Sequence, residues 1–235
     1  MVRLGNLRRL TPISQRYGFD RGLPVDRYYV EHFLARFSGE VDYAGGDIRG
    51  RVLEVGGDAY TRKFGRMQGM AGSSGTVQQV DILHVNDENP GATITGDLTK
   101  PGDLPEDAFD CVICTQTLHV IYDVRTAIRS FHRLLKPGGV VLATFPGITK
   151  ACHPDRDLWG DYWRFTSLGA RRLFEEVFPP AGVTVEAYGN VLTAVAFLHG
   201  LAADELRQHE LDLHDPHYEV LVVVRAVKSL SDDST

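Results

Sequence analysis

Three stretches of the chain hold side chains in arrangements that chemistry can use. In Arg51-Val52-Leu53-Glu54-Val55-Gly56-Gly57-Asp58-Ala59-Tyr60, apolar residues flank an acid and two glycines follow at once. This is the pattern of a buried strand ending in a tight turn, where a ligand can approach the backbone closely. His119 follows another apolar run, and His153 lies further along; an imidazole takes up or releases a proton near neutral pH. Finally, Leu158-Trp159-Gly160-Asp161-Tyr162-Trp163-Arg164-Phe165 sets four aromatic rings beside an acid and a base. Such a cluster forms either a lid that stacks on and hydrogen-bonds a polar ring such as a sugar, or an aromatic satellite core tied down by an ion pair.

The elements that must position these residues follow from the hydrophobic period. Strands are expected at 77–85, 92–95, 109–115, 140–145, 183–188 and 219–227, besides the strand that opens at Arg51. Phe109 to Thr115 is apolar on both faces apart from Asp110, as in a central strand. Helices are expected over 26–37, from Asp123 to Leu135, over 167–178 with Thr166 as cap, and over 191–201. Lys136-Pro137-Gly138-Gly139 should stop the second of these, and a short helix fits 61–65. Gly45-Gly46 ends the lead-in to the first strand, 69–75 is a glycine-rich loop, and 146–165 is a long loop. Strands alternating with helices argue for a doubly wound, mostly parallel α/β sheet in one domain over 1–235, with an N-terminal arm and helix (1–45) and a short frayed tail (229–235).

Composition narrows the function. The 235 residues are 43% hydrophobic and 24% charged, with a net charge of −6 and no dense basic stripe. This is an ordinary globular balance that argues against a general nucleic-acid binder. No run approaches the ~20 apolar residues of a membrane span. Met1 to Gln15 is basic without an apolar stretch of signal-peptide length, so a cytoplasmic, reduced setting is expected. Cys111 and Cys114 form a CxxC inside an apolar run, which reads as core packing rather than redox or metal chemistry. His199, His209, His214 and His217 match no zinc spacing, and no metal is expected.

Four blocks, in order, resemble the class I S-adenosylmethionine-dependent methyltransferases, specifically the small type-11-like group. Val52-Leu53-Glu54-Val55-Gly56 looks like the family's first motif. Gly96-Asp97-Leu98 with Leu104-Pro105 and Phe109-Asp110 looks like its third-strand block. Thr115-Gln116-Thr117-Leu118-His119 is similar to the segment after its fourth strand, and Arg133-Leu134-Leu135-Lys136-Pro137-Gly138-Gly139 to the turn before its fifth. The resemblance covers roughly 50–145 and implies a Rossmann-like fold with S-adenosyl-L-methionine as cofactor. By the same resemblance, Gly56 and Gly57 give close backbone approach, and Glu54 orients the loop or meets the cofactor's amino end. Asp97, followed by Leu98, accepts from the adenine amine, and Thr115 and Gln116 lie under the methionine moiety.

The chain departs from the family at two places. Asp58 and Tyr60 stand where the first motif commonly continues with glycines, so strain at positive φ is expected if the loop keeps its path, unless Asp58 adds a contact to the ammonium. The second strand ends with His84 rather than an acid, making His84 the expected ribose neighbour while Asp81 faces elsewhere. Methyl transfer needs alignment, desolvation and often a base. His119 is best placed for that role, with His153 and Asp161 as further catalytic candidates and Trp159, Tyr162, Trp163 and Arg164 as substrate contacts. Tyr17, Arg21, Arg27, Tyr28 and Tyr29 either fold over the cofactor or simply pack. The expected substrate is a small polar metabolite, sugar or natural-product intermediate methylated on oxygen or nitrogen, with no nucleic-acid or membrane partner. The alternatives are a cofactor-binding scaffold without catalysis and non-methylating use of the same cofactor. The oligomeric state stays open, a homodimer included.

Overall fold

The computed structural model describes residues 5, 8–38, 46–67 and 76–230. Gly45, the 69–75 loop and the tail beyond 230 lie outside the described residues. The chain forms one seven-stranded sheet from β1 (Gly50–Val55), β2 (Val77–His84), β3 (Ile94–Thr95), β4 (Phe109–Thr115), β5 (Leu135–Pro146), β6 (Val183–Tyr188) and β7 (Leu221–Val227). Their spatial order is β3-β2-β1-β4-β5-β7-β6. The first five strands are parallel, while β7 runs antiparallel to both β5 and β6. This is the doubly wound, mostly parallel α/β sheet expected from the alternating pattern. The order reverses at β1, with β2 on one side and β4 on the other. A crevice therefore opens between the carboxyl ends of these two strands, where α/β sheets hold ligands.

Both faces of the sheet are covered, which explains the double-sided apolar runs. Leu53, Val112, Cys114, Val141 and Val224 pack beneath Phe131 of α3 (Val124–Leu134) and Phe174 of α5 (Ser167–Glu175). Val52, Cys111, Ile113 and Leu142 face the other way, against Val30 and Phe33 of α1 (Val25–Ala35) and Phe197 of α6 (Val191–Leu198). The two cysteines of the CxxC therefore sit on opposite faces. Burial raises both thiols, Cys114 to about 12, and a thiol held so high supplies little thiolate. Side-chain caps fix three helix starts: Asp123 accepts from the Thr126 N–H, Thr166 from Gly169 and Asn190 from Thr193.

Some element bounds differ from expectation. Ladder pairing draws β5 back to Leu135, so the Lys-Pro-Gly-Gly stretch lies inside the strand rather than before it. Gly138 takes φ +77, and a Cβ on Gly139 would stand 2.9 Å from the Lys136 carbonyl oxygen, which explains the paired glycines. Lys136 Nζ donates to Asp110 Oδ2 at 2.7 Å, and the same oxygen accepts from the Arg51 N–H. Two conspicuous motif residues thus tie β1, β4 and β5 together at the end of the sheet away from the crevice. The long loop carries a short helix, α4 (His153–Leu158). The first strand feeds α2 (Ala59–Phe64), and α7 (Gln208–Asp212) precedes β7.

Candidate functional site

At the tip of β1 the backbone turns through Gly56 at φ +90. The Gly56 N–H donates to the Leu83 carbonyl at 2.9 Å, and Asn89 Nδ2 donates to the Gly56 carbonyl at 3.2 Å, latching the loop to the β2 side. A Cβ built on Gly56 or Gly57 would meet nothing within 4 Å, so the crest of the loop faces open space. Glu54 is turned inward and only 4% exposed. Its carboxylate accepts from the Tyr60 and Thr61 N–H groups and from the Thr61 hydroxyl, at 2.7–3.2 Å. The first-motif acid thus holds the N-terminus of α2 and sets the loop from behind. Asp58 precedes α2 at φ −133 and pairs with Arg62, and neither it nor Tyr60 takes a positive φ. The expected strain at these two residues is absent because the loop enters a helix at Ala59 instead of continuing as a glycine turn.

The neighbouring tips carry the other expected contacts. The His84 Nδ1 lies 3.0 Å from the Asn86 carbonyl, and its ring meets Trp159 edge-on at 5.9 Å. Asp81 is buried and turned away, bonded to Arg51 Nε and the Thr93 hydroxyl. Asp97 accepts from the N–H and hydroxyl of Thr99, both at 2.8 Å. Burial raises its pKa, but Thr99 and Lys100 outweigh that and leave it below the usual range. Leu98 is a core residue whose carbonyl accepts from Ser130. Beyond Thr115 the chain passes through Gln116 at φ +49, whose N–H donates to the Thr144 carbonyl.

His119 is 9% exposed and lines a cleft of about 340 Å³ at the β4 and β5 tips, together with Gln116, Pro146 and Arg164. Its carbonyl accepts from the N–H groups of Tyr162 and Trp163. His153 is exposed at the start of α4 and does not line this cleft. The aromatic segment divides. Trp159 reaches the β2 tip, while Tyr162 and Trp163 pack on Tyr122, and Trp163 Nε1 donates to the Ile121 carbonyl. Asp161 is locked: its side chain is 3% exposed and accepts two bonds from Arg164 and one from the Cys152 N–H. That geometry is an anchor for the loop rather than a proton acceptor.

Arg164 first, with the Cys152 N–H, holds the Asp161 carboxyl below its ordinary range against the effect of burial. A carboxyl depressed on folding adds stability that is present above its unfolded pKa and disappears as the pH falls through the folded one. Asp161→Asn is therefore expected to be clearly less stable than wild type in urea at pH 7, with the gap closing as pH drops below about 4. A gap independent of pH would mean that the ion pair contributes nothing.

The far wall of the cleft comes from the N-terminal region. Tyr17, Phe19, Asp26 and Arg27 line it, and Lys150 sits 4.2 Å from the Tyr17 ring centre. The arm is fastened down by the N–H groups of Ile13 and Ser14, both donating to the His199 carbonyl. Arg21 pairs with Glu205, Tyr28 bonds Asp212, and Tyr29 is wholly buried in the core. Asp26 was legible in the sequence only as an acid in a first helical turn, a place that ordinarily complements the helix dipole. Its neighbour Arg27 was among the residues expected either to fold over the cofactor or to pack, but nothing singled out Asp26 itself.

Residues 53–143 match the family described as "Methyltransferase domain". That segment of the chain matches a methyltransferase domain. The match spans the strand tips just described, from β1 to the body of β5. A curated relative, YafE of Escherichia coli, is 39% identical over 54 residues, which is 23% of this chain and 25% of that protein. The match thus spans about a quarter of the relative's length. Among solved structures, an S-adenosylmethionine-dependent methyltransferase from Archaeoglobus fulgidus is similar at 12% identity and TM-score 0.49, covering 86% of this chain and all of that one. The methyltransferase partner of the Haloferax volcanii Trm112 activator is similar at 16% identity and TM-score 0.49, covering 87% and 90% of the two chains.

The cofactor that a domain of this family takes is S-adenosyl-L-methionine. The residues present fit it: an open glycine crest at the topological switch point, an imidazole at the β2 tip and a carboxylate after β3. The described residues hold no cluster of three or more His, Cys, Asp or Glu that could bind a metal ion. Among the described residues, no helix is long and apolar enough to cross a membrane.

Proposed function

We propose that the protein transfers a methyl group from S-adenosyl-L-methionine to an oxygen or nitrogen of a small polar molecule, with the whole chain acting as one domain in the cytoplasm. The observation that carries this is the 340 Å³ cleft directly beside the β4 tip, with His119 in its wall and the N-terminal arm across it. A cleft of this size suits a metabolite rather than a macromolecule. The bound cofactor supplies an electrophilic methyl group; the chain supplies alignment, water exclusion and a proton acceptor. Gly56, Gly57, Gln116, His84 and Asp97 hold and orient the cofactor. Arg164 and the rings of Trp159, Tyr162 and Trp163 border the acceptor's approach, and His119 receives the proton that the acceptor gives up.

Two measurements test this together. S-adenosylhomocysteine should raise the melting temperature of wild type and of His119→Ala alike. With labelled cofactor and a panel of hydroxyl and amine acceptors, wild type should transfer label, and His119→Ala should be slower by about 100-fold, the scale of general-base catalysis. No melting shift at millimolar nucleoside overturns the proposal, whereas full turnover in His119→Ala removes the base.

A further inference from the structure

Asp26 is the odd residue of the cleft. It is 8% exposed, yet its Oδ1 has no hydrogen-bond partner among the described residues. Its Oδ2 lies 3.7 Å from Arg27 Nε, and the residue lines the cleft. A buried acceptor without a donor is destabilising, so its place in the wall of a cleft calls for a partner. Burial raises the Asp26 pKa, only partly countered by Arg27 and the backbone N–H groups beside it.

Placement says which ligand group. The ion pair of Lys63 with Glu31, at 2.7 Å, ties α1 to α2, the helix that leaves the Gly56-Gly57 loop. Arg27 hydrogen-bonds the partly buried hydroxyl of Tyr60, the residue that stands where the family has a glycine, and Asp26 lies near the same hydroxyl. On its other side Asp26 shares the cleft with Gln116 at the β4 tip. A neighbouring carboxylate and guanidinium therefore lie beside Tyr60 of α2 and share the cleft with Gln116 at the β4 tip. That arrangement complements a zwitterion, with an ammonium for Asp26 and a carboxylate for Arg27, and a ligand end of single charge would leave one of the two unmatched.

We propose that Asp26 and Arg27 of α1 are the recognition pair for the α-amino-acid end of the cofactor, Asp26 Oδ1 accepting from the ammonium and Arg27 donating to the carboxylate. This rests on the cofactor assignment made above. It gives Tyr60 a purpose, because its ring fills the place of a glycine and its hydroxyl stands beside the pair. The recognition task then falls to the helix before β1 as well as to the glycine loop.

Calorimetric titration with two nucleosides tests this: S-adenosylhomocysteine, which has the amino-acid end, and methylthioadenosine, which lacks it. Asp26→Asn and Arg27→Gln should each weaken S-adenosylhomocysteine by roughly ten- to a hundredfold, the scale of a charge-assisted hydrogen bond. Methylthioadenosine should change by no more than about twofold if the adenosine site is intact. Asp26→Asn removes a buried charge that burial disfavours and that Arg27 pairs with only at 3.7 Å, so its melting temperature should not fall below wild type; Arg27→Gln gives an independent second route. Equal weakening of both nucleosides would make the pair merely structural, and unchanged S-adenosylhomocysteine binding would assign Asp26 to the acceptor instead; either overturns the inference while leaving the cofactor assignment standing. Wild type binding neither nucleoside overturns both.

Discussion

Glu54→Ala should lose about 2–4 kcal/mol of stability, from buried donors left unpaired at ~1–3 kcal/mol each, and should no longer be stabilised by S-adenosylhomocysteine. The side chain is buried, and three donors depend on it: the N–H groups of Tyr60 and Thr61 and the Thr61 hydroxyl, itself fully buried. These N–H groups belong to the first turn of α2, which has no side-chain cap from Asp58. Removing the carboxylate therefore leaves the start of a helix unsatisfied and takes away negative charge from the positive end of its dipole. The loop carrying Gly56 and Gly57 hangs between β1 and that helix, so the cofactor crest should move with it. Glu54→Gln keeps one acceptor oxygen and should fall between the two. Chemical denaturation with and without the nucleoside reads both effects, and a Glu54→Ala protein with wild-type stability and a full ligand shift would show that the loop is held by something else.

That role for Glu54 marks where the sequence stops being informative. Strand β4 was readable to the residue because both of its faces are buried, and a run of Cys, Val and Ile fits no amphipathic helix. Helix α3 was readable because its stripe of Val124, Ala127, Ile128, Phe131 and Leu134 follows the helical period and Asp123 caps it. The order of motifs along 50–145 was enough to expect a methyltransferase domain, and the match over 53–143 bears that out. What periodicity does not carry is the direction of a polar side chain. Glu54 alternates with Leu53 exactly as a strand residue should, so nothing local says that it caps a helix instead of meeting a ligand. Asp161 and Arg164, three residues apart, gave no sign of whether they face solvent or each other. Asp26 depends on α1 being folded against α2, a contact between residues about 30 positions apart that no local pattern encodes.

Gly56→Ala and Gly57→Ala should behave differently although the residues are neighbours. Gly56 sits at φ +90, a conformation that costs an L-residue about 1–3 kcal/mol. It cannot easily relax, because its N–H is held by Leu83 and its carbonyl by Asn89. Gly57 has no such φ, and alanine there should leave stability within about 0.5 kcal/mol of wild type, or raise it slightly by restricting the unfolded chain. Neither Cβ meets any atom of the protein, so clash contributes nothing to the difference. The same open space is where a cofactor would rest against the crest, and a methyl group there displaces it. Displacement by about an ångström is enough for a hundredfold loss. Gly56→Ala should therefore lose stability and binding together, while Gly57→Ala should weaken S-adenosylhomocysteine with its melting temperature unchanged. If both variants bind the nucleoside like wild type, the crest is only a turn and the cofactor lies elsewhere; a binding loss in Gly57→Ala at full stability can come only from a ligand that touches the crest.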